Sequence, residues 1–238
     1  VKIALIGYGK MGKTIERLAL ERGHVITEKF STNNPFINQK EVDADVAIEF
    51  TEPSLVVNHI KHCNNIGLPV VVGTTAWYEH FNEVVEDVKI KNGSIFYATN
   101  FSLGVNLFFL ANKFLARLMN NYPEYNCSIQ EIHHTEKKDA PSGTAITTAE
   151  GIVENHEQYE QWSLSGNSDK SINIEALRLP NVPGTHHVNY ESDVDRITLS
   201  HEAKSRDGFA LGSIVAAEWL FSKKGVYNMK DLLNFDKS

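Results

Sequence analysis

The chain has 238 residues, 42% hydrophobic and 22% charged, with a formal net charge of −7. At about 150 residues per domain this is one large or two small globular domains with a real core. The acidic balance, with no long basic run and no zinc-type Cys/His spacing, argues against a nucleic-acid partner.

Cys63 and Cys127 stand apart and form no C-x-x-C arrangement, so two buried thiols in a reducing, cytoplasmic setting are expected, not a disulfide scaffold. The first residues read as a strand with no signal-type leader, and no apolar run approaches the ~20 residues of a membrane helix. Val1 to Ile6 (VKIALI) predicts that strand, Gly7-Tyr8-Gly9-Lys10-Met11-Gly12 a loop, and Thr14, Ile15, Leu18 and Ala19 a helix ending near Gly23. In this order a G-x-G-x-x-G loop makes a dinucleotide site: Gly7 forms the turn, Gly9 admits a pyrophosphate, and Gly12 lets helix and strand pack closely. A tight βα turn that holds no nucleotide is the alternative.

The second strand, His24 to Phe30, ends without a well-placed acidic side chain to hold the ribose hydroxyls, because Glu28 comes early and alternates to the other face. Lys29, or Ser31 with Thr32, could meet a 2′-phosphate, which leans the choice toward NADPH over NADH. Asn33 to Asp43 reads as a loop. Asp45–Phe50, Leu68–Val72 and Ser94–Ala98 are further strands, separated by helices from Pro53 to Cys63 and from Tyr78 to Lys91. These βα units predict a Rossmann-type, doubly wound parallel sheet with its ligand at the carboxyl ends of the strands. That rule nominates Glu49-Phe50-Thr51, Gly73-Thr74-Thr75 and Ala98-Thr99-Asn100-Phe101 as the lining.

Val105 to Asn120 predicts an amphipathic helix linking two domains, and Tyr125 to His133 opens the second with an alternating strand. The stretch that concentrates chemistry follows, Gln130 to Ala145 (QEIHHTEKKDAPSGTA). The spacing of His133 and Lys137 places both on one side of either a strand or a helical turn, where they can share an anionic ligand. A helix then runs from Thr144 to Ile152 with Asp139 or Ser142 as N-cap, and its first amides, from Ser142, Gly143 and Thr144, make a seat for a carboxylate or phosphate. Glu154 to Ser171 reads as a mobile loop. Ile172–Leu179, Gly184–Glu191 and Asp195–Ala203 alternate as strands of an open mixed sheet in an α+β domain, and Phe209–Phe221 is an apolar helix returning to the first domain. The expected division is a dinucleotide-binding domain at 1–103 and 208–238, and a substrate-binding and oligomerisation domain at 104–207.

Glu131, His133, Lys137, Asp139, Pro141, Ser142, Gly143, Thr144 and Ala145 together resemble the signature E-x-H-x-x-x-K-x-D-x-P-S-G-T-A of the 4-hydroxy-tetrahydrodipicolinate reductase family of lysine and diaminopimelate synthesis. The resemblance implies reduction of a cyclic imine dicarboxylate by NADPH or NADH, with loss of the 4-hydroxyl as water and no metal. It implies that His133 donates the proton, that Lys137 assists it and holds the ligand, and that His134 and the Gly143 and Thr144 amides meet the carboxylates. Gly73, Thr74, Thr75 and Ala98 to Phe101 would contact the dinucleotide near its nicotinamide. Arg178–His186 and Ser200–Arg206 resemble further family segments, whose basic residues either shape the site or form surface ion pairs. The family is typically tetrameric through its open sheet. Three departures stand out: Glu49 for the usual Asp, Ala76 for the usual Gly, and a glycine loop one residue shorter. A Rossmann-type dehydrogenase of sugars or amino-acid semialdehydes and a non-catalytic nucleotide sensor are the competing readings.

Overall fold

The computed structural model describes residues 1–165, 168–205 and 207–234; Arg206, positions 166 and 167 of the expected loop, and 235–238 lie outside the described residues. In chain order the elements are β1 (Lys2–Ile6), α1 (Lys10–Glu21), β2 (Val25–Phe30), β3 (Val46–Glu49), α2 (Pro53–Asn65), β4 (Val70–Val72), α3 (Phe81–Lys91) and β5 (Ser94–Tyr97). They continue as α4 (Leu103–Met119), β6 (Asn126–His133), α5 (Gly143–Val153), β7 (Gln161–Ser163), β8 (Ser171–Arg178), β9 (Gly184–Glu191) and β10 (Arg196–Ala203), then α6 (Asp207–Leu220), β11 (Gly225–Tyr227) and α7 (Met229–Leu233). Two compact units result: Val1–Ser102 with Asp207–Ser238, and Leu103–Arg206.

The first unit is a Rossmann-like sheet in the order β11-β5-β4-β3-β1-β2, with every pairing parallel. Its central strands are continuous apolar runs because both faces are covered. Ala4, Ile6, Ala47, Val70 and Val72 pack with Val56 and Ile60 of α2 and Val84 and Val88 of α3, while the alternate residues Ile3, Leu5, Ile48 and Val71 are equally buried. Helix α6 packs on α1 and on β3, β4 and β5. Its close approach depends on Gly212, where a Cβ would stand 1.7 Å from the Phe101 carbonyl oxygen. The sequence reading missed β11 and α7, both too short to show a period; α7 is set by a capping box between Asn228 and Asp231.

The second unit is a mixed sheet, β10-β9-β6-β8-β7, with β6 antiparallel to β9 and parallel to β8. Ile129, Ile172, Ile174, Val188 and Tyr190 pack against Phe108, Ala116 and Met119 of α4 and Ala149 and Ile152 of α5. The alternate residues, among them Ser128, Gln130, Asn173, Glu175, His187 and Asn189, are half-buried or exposed. Within the expected loop at 154–171, the described residues 156–163 make specific contacts with the sheet. His156 and Tyr159 are buried, the Tyr159 hydroxyl accepts the Cys127 amide at 2.7 Å, and Gln161–Ser163 pairs with β8. Isolated apolar anchors hold it, and these leave no periodic trace. Among the described residues no helix is long and apolar enough to cross a membrane.

Ala76, after the β4 strand end, sits at φ +62°. In this left-handed region the Cβ costs an L-residue roughly 1–2 kcal/mol, whereas glycine adopts it freely but loses about 0.5–1 kcal/mol more chain entropy on folding. Ala76→Gly should therefore raise the thermal unfolding midpoint by about 1–4 °C, read by calorimetry; an unchanged or lowered midpoint would contradict the strain.

Candidate active site

The site of the second unit is assembled on β6. Cys127, Ile129, Glu131 and His133 alternate onto its buried face, so the strand that begins as core ends as chemistry. The two neighbours supply the rest through register: β9 sets His186 opposite Glu131, and β8 sets Arg178 opposite His133. Glu131 is fully buried. One of its carboxylate oxygens is hydrogen-bonded to His133 Nδ1; the other accepts from Arg178 at 3.0 Å and from the Ser142 amide at 3.3 Å. Burial alone would raise the Glu131 carboxyl, but hydrogen bonds from His133 and Arg178 outweigh it and hold the group below its usual range. An ionised carboxylate only accepts, so Nδ1 of His133 carries a proton and Nε2 is the outward-facing nitrogen. Beside that nitrogen lies Gly184, where a Cβ would come within 3.0 Å of Nε2; glycine keeps the edge of the imidazole open.

His186 packs edge-on to His133, with ring centroids 5.1 Å apart, and its Nε2 lies 3.2 Å from the Ser142 hydroxyl. Burial, reinforced by His133, pushes His186 down to about 3, so it stays neutral. Donor atoms of Glu131, His133 and His186 lie within 4.8 Å of one another, a spacing a metal ion could bridge. Arg178 also places a positive charge on that carboxylate.

The four-residue spacing of His133 and Lys137 is not realised on one strand or helix. β6 stops at His133, and a turn closed by Lys137 N to His134 O follows. Arg178 holds this turn, donating to the Asp139 carbonyl at 2.6 Å. Lys137 Nζ pairs with the Asp139 carboxylate at 2.8 Å, which keeps that carboxyl below its usual range. Of the two N-cap candidates the structure selects Ser142, whose hydroxyl accepts the Ala145 amide at 3.2 Å. Its own amide is spent on Glu131. Of the three amides expected in the anion seat, those of Gly143 and Thr144 remain without a protein acceptor among the described residues, and the space beside Gly143 is open.

In the first unit the glycine loop lies between two adjoining cavities. One of about 380 Å³ is bounded by Gly9–Gly12 and by Gly73–Thr75, with Phe50 and Thr51. The other, about 590 Å³, has Gly7, Tyr8 and Gly9 on one side and Phe30, Ser31 and Thr32 at the end of β2. Gly7, at φ +98°, would carry a Cβ 2.0 Å from the Phe50 carbonyl oxygen, while Gly9 has open space. Helix α1 has Gly9 as N-cap and no side-chain cap, so its first amides and dipole face the cleft. Two cavities joined across an uncapped helix N-terminus fit an extended dinucleotide with its pyrophosphate at the loop. Thr51 N bonds the Thr74 hydroxyl at 2.8 Å and ties the two lining strand ends together. The buried carboxylate of Glu49 takes hydrogen bonds from the Thr51 hydroxyl and from His59 at 3.3 Å.

Ala98 to Phe101 do not border either cavity. They follow β5, one strand further along; Phe101 is buried against Phe50 and Phe96, and Asn100 accepts the Ser102 amide at 2.9 Å. The residues that the sequence reading left without a role are Glu131, His186 and Gly184. Their signal was present in the alternation of β6 and in the Arg178–His186 segment, but their convergence depends on strand register.

The chain matches the family model described as dihydrodipicolinate reductase, N-terminus, over residues 1–101 and the one described as dihydrodipicolinate reductase, C-terminus, over residues 104–233. It is 44% identical over 234 residues to the 4-hydroxy-tetrahydrodipicolinate reductase of Christiangramia forsetii, covering 98% of each chain. It is 37% identical to that of Methanocaldococcus jannaschii, over 83% of this chain and 74% of the relative. Among solved structures, a dipicolinate-bound dihydrodipicolinate reductase from Paenisporosarcina sp. TG-14 shares the fold, with a TM-score of 0.78 and 22% identity over 97% of this chain and 98% of that one. On the matches to both halves and these relatives, one of them near full-length, the chain belongs to the dihydrodipicolinate reductase family.

Proposed function

We propose that the chain reduces 4-hydroxy-tetrahydrodipicolinate to tetrahydrodipicolinate with loss of water, using NADPH or NADH, in lysine and diaminopimelate synthesis in the cytoplasm. The observation that carries this reading is the buried Glu131 carboxylate, which fixes an imidazole and a helix N-terminus beside each other. His133 donates from Nε2 the proton that completes the reduction, and recovers it from water. Glu131 positions the imidazole and fixes its tautomer, as a buried carboxylate does for a catalytic histidine elsewhere. The Gly143 and Thr144 amides and His134 receive the carboxylates of the substrate, and Lys137, released from Asp139, balances the second negative charge. In the first unit the glycine loop, Ser31 and Gly73–Thr75 hold the dinucleotide; when bound, its reduced nicotinamide supplies the hydride. Overall, the substrate, one hydride and one proton give tetrahydrodipicolinate and water. The lean toward NADPH rested on the missing acid at the end of β2 and on Lys29, or Ser31 with Thr32, as phosphate contacts; Lys29 is paired with Glu16 at 2.7 Å, so we assign use of both dinucleotides. The open face of the mixed sheet is assigned to contacts with other copies in a homotetramer.

The direct test follows cofactor absorbance at 340 nm with substrate generated from pyruvate and aspartate semialdehyde by an active synthase; absence of oxidation with either dinucleotide would overturn the reading. His133→Gln and Lys137→Ala should each lower kcat by roughly 10²–10⁴ while dinucleotide binding survives. Full turnover in either would remove the assigned role.

Glu131→Gln keeps the shape but removes the charge. It should cut kcat by about tenfold or more with a much smaller change in KM, in a protein whose circular dichroism is native. A loss confined to KM would make Glu131 a substrate contact instead. Light scattering of the purified chain should give the mass of four copies; a monomer at assay concentration would refute the tetramer.

A further inference from the structure

One charged cluster is left unused by the reading above. Tyr8, inside the glycine loop, hydrogen-bonds through its hydroxyl to one carboxylate oxygen of Glu16, on the second turn of α1. The other oxygen pairs with Lys29 Nζ at 2.7 Å, and the same ammonium lies 4.9 Å from the centroid of the Tyr8 ring. Both oxygens of Glu16 are therefore engaged, and Lys29 is held by an ion pair and by the face of an aromatic ring.

Its position is informative. Lys29 is the penultimate residue of β2, and in a Rossmann sheet the end of this strand meets the adenosine ribose of the dinucleotide. Tyr8 borders the cavity at that end together with Ser31 and Thr32, whose hydroxyls are neutral. Glu28, the one acid of the strand, accepts the Asp43 amide at 3.2 Å. Behind Tyr8 stand one ammonium and one carboxylate whose charges cancel; neither lines the cavity itself, whose border adds Glu52. The hydrogen bond from Lys29, followed by that from Tyr8, holds the Glu16 carboxyl below its usual range, so the cancellation persists through neutral pH.

We propose that Glu16 is the residue that sets the choice between NADPH and NADH, by withholding Lys29 from the 2′-phosphate. The inference rests on the reading that the first unit binds a pyridine nucleotide. With the carboxylate in place, a 2′-phosphate must compete with it for the Lys29 ammonium, whereas a 2′-hydroxyl makes no such demand. The side chains of Lys29 and Glu16 are 43% and 21% exposed, and pairs in contact with solvent are weak enough for a phosphate to displace. The wild-type chain accordingly binds both dinucleotides with little preference, and removing the Glu16 charge converts it into one that prefers NADPH.

The test is calorimetric titration of the full chain with NADPH and with NADH, without the dicarboxylate, so that turnover plays no part. Glu16→Gln should tighten NADPH by about tenfold and leave NADH within about twofold, the gain fading as salt is raised. Lys29→Met should weaken NADPH relative to NADH. In the Lys29→Met background, Glu16→Gln should have no further effect on the ratio, since the carboxylate is held to act through the ammonium. An unchanged ratio in Glu16→Gln, or the same gain when Lys29 is absent, would overturn the proposal while leaving the cofactor site intact. Failure of the wild-type chain to bind either dinucleotide would instead overturn the reading on which it rests.

Discussion

A single buried carboxylate organises the second unit. Taking an ion such as Glu131 out of water costs several kcal/mol even after relaxation, and the structure offsets this with donors from three separate elements: the imidazole of His133 on its own strand, the guanidinium of Arg178 on β8, and the amide of Ser142 at the entrance of α5. Each partner is thereby placed relative to the others. Arg178 also grips the carbonyl of Asp139, so the same network fixes the path of the chain between His133 and α5. Removing one partner from a buried pair of this kind typically costs about 3–5 kcal/mol, which makes the arrangement rigid as well as polar. An oriented imidazole and a pair of helix-entry amides follow from satisfying one charge.

The first unit solves a different problem, binding an extended anionic ligand with little side-chain charge. Glycine at 7 lets the loop turn against the Phe50 carbonyl, and glycine at 12 lets α1 descend onto that loop, where a Cβ would stand 2.3 Å from the Gly7 carbonyl oxygen. The helix dipole then points at the open space beside Gly9. Across the cleft, the bond between Thr51 and Thr74 keeps the ends of β3 and β4 at one height. The site is made largely of backbone; beside it the Glu49 carboxylate is buried, with Thr51 and His59 on one oxygen and no partner on the other.

Much of this was legible in the sequence because it is local. The glycine loop with its flanking strand and helix, the run of βα units, and the helix entry at Pro141-Ser142-Gly143 all lie within stretches whose period and turn chemistry can be read directly. What escaped was set by register or by length. His186 and Arg178 reach Glu131 only because β9 and β8 pair with β6 in particular alignments, and no spacing along the chain announces that. β11 is three residues long, below the length at which alternation means anything. The segment after α5 looked shapeless because its anchors, His156 and Tyr159, are held by partners distant in sequence. The spacing of His133 and Lys137 suggested a shared face, but the strand ended first, and Arg178 dictated the turn that replaced it.

The acidic chain must attract anions with cations that are already spoken for. Lys137 faces Asp139, Lys29 faces Glu16, and Arg178 faces Glu131. These pairs differ in burial, and that difference divides their roles. Arg178 and Glu131 are shielded, so their charges are structural and cannot be lent to a ligand without collapse of the network. Asp139 and Lys29 lie at the surface, where an ion pair is worth about 0–1 kcal/mol; a carboxylate or phosphate arriving at either lysine replaces one weak partner with a better one. The amides of Gly143, Thr144 and the α1 entrance need no such exchange, since their dipoles are fixed by folding. Backbone amides therefore stand ready without rearrangement at both helix entrances, whereas half-buried Lys137 and exposed Lys29 could meet a ligand only if it outbid the resident carboxylate.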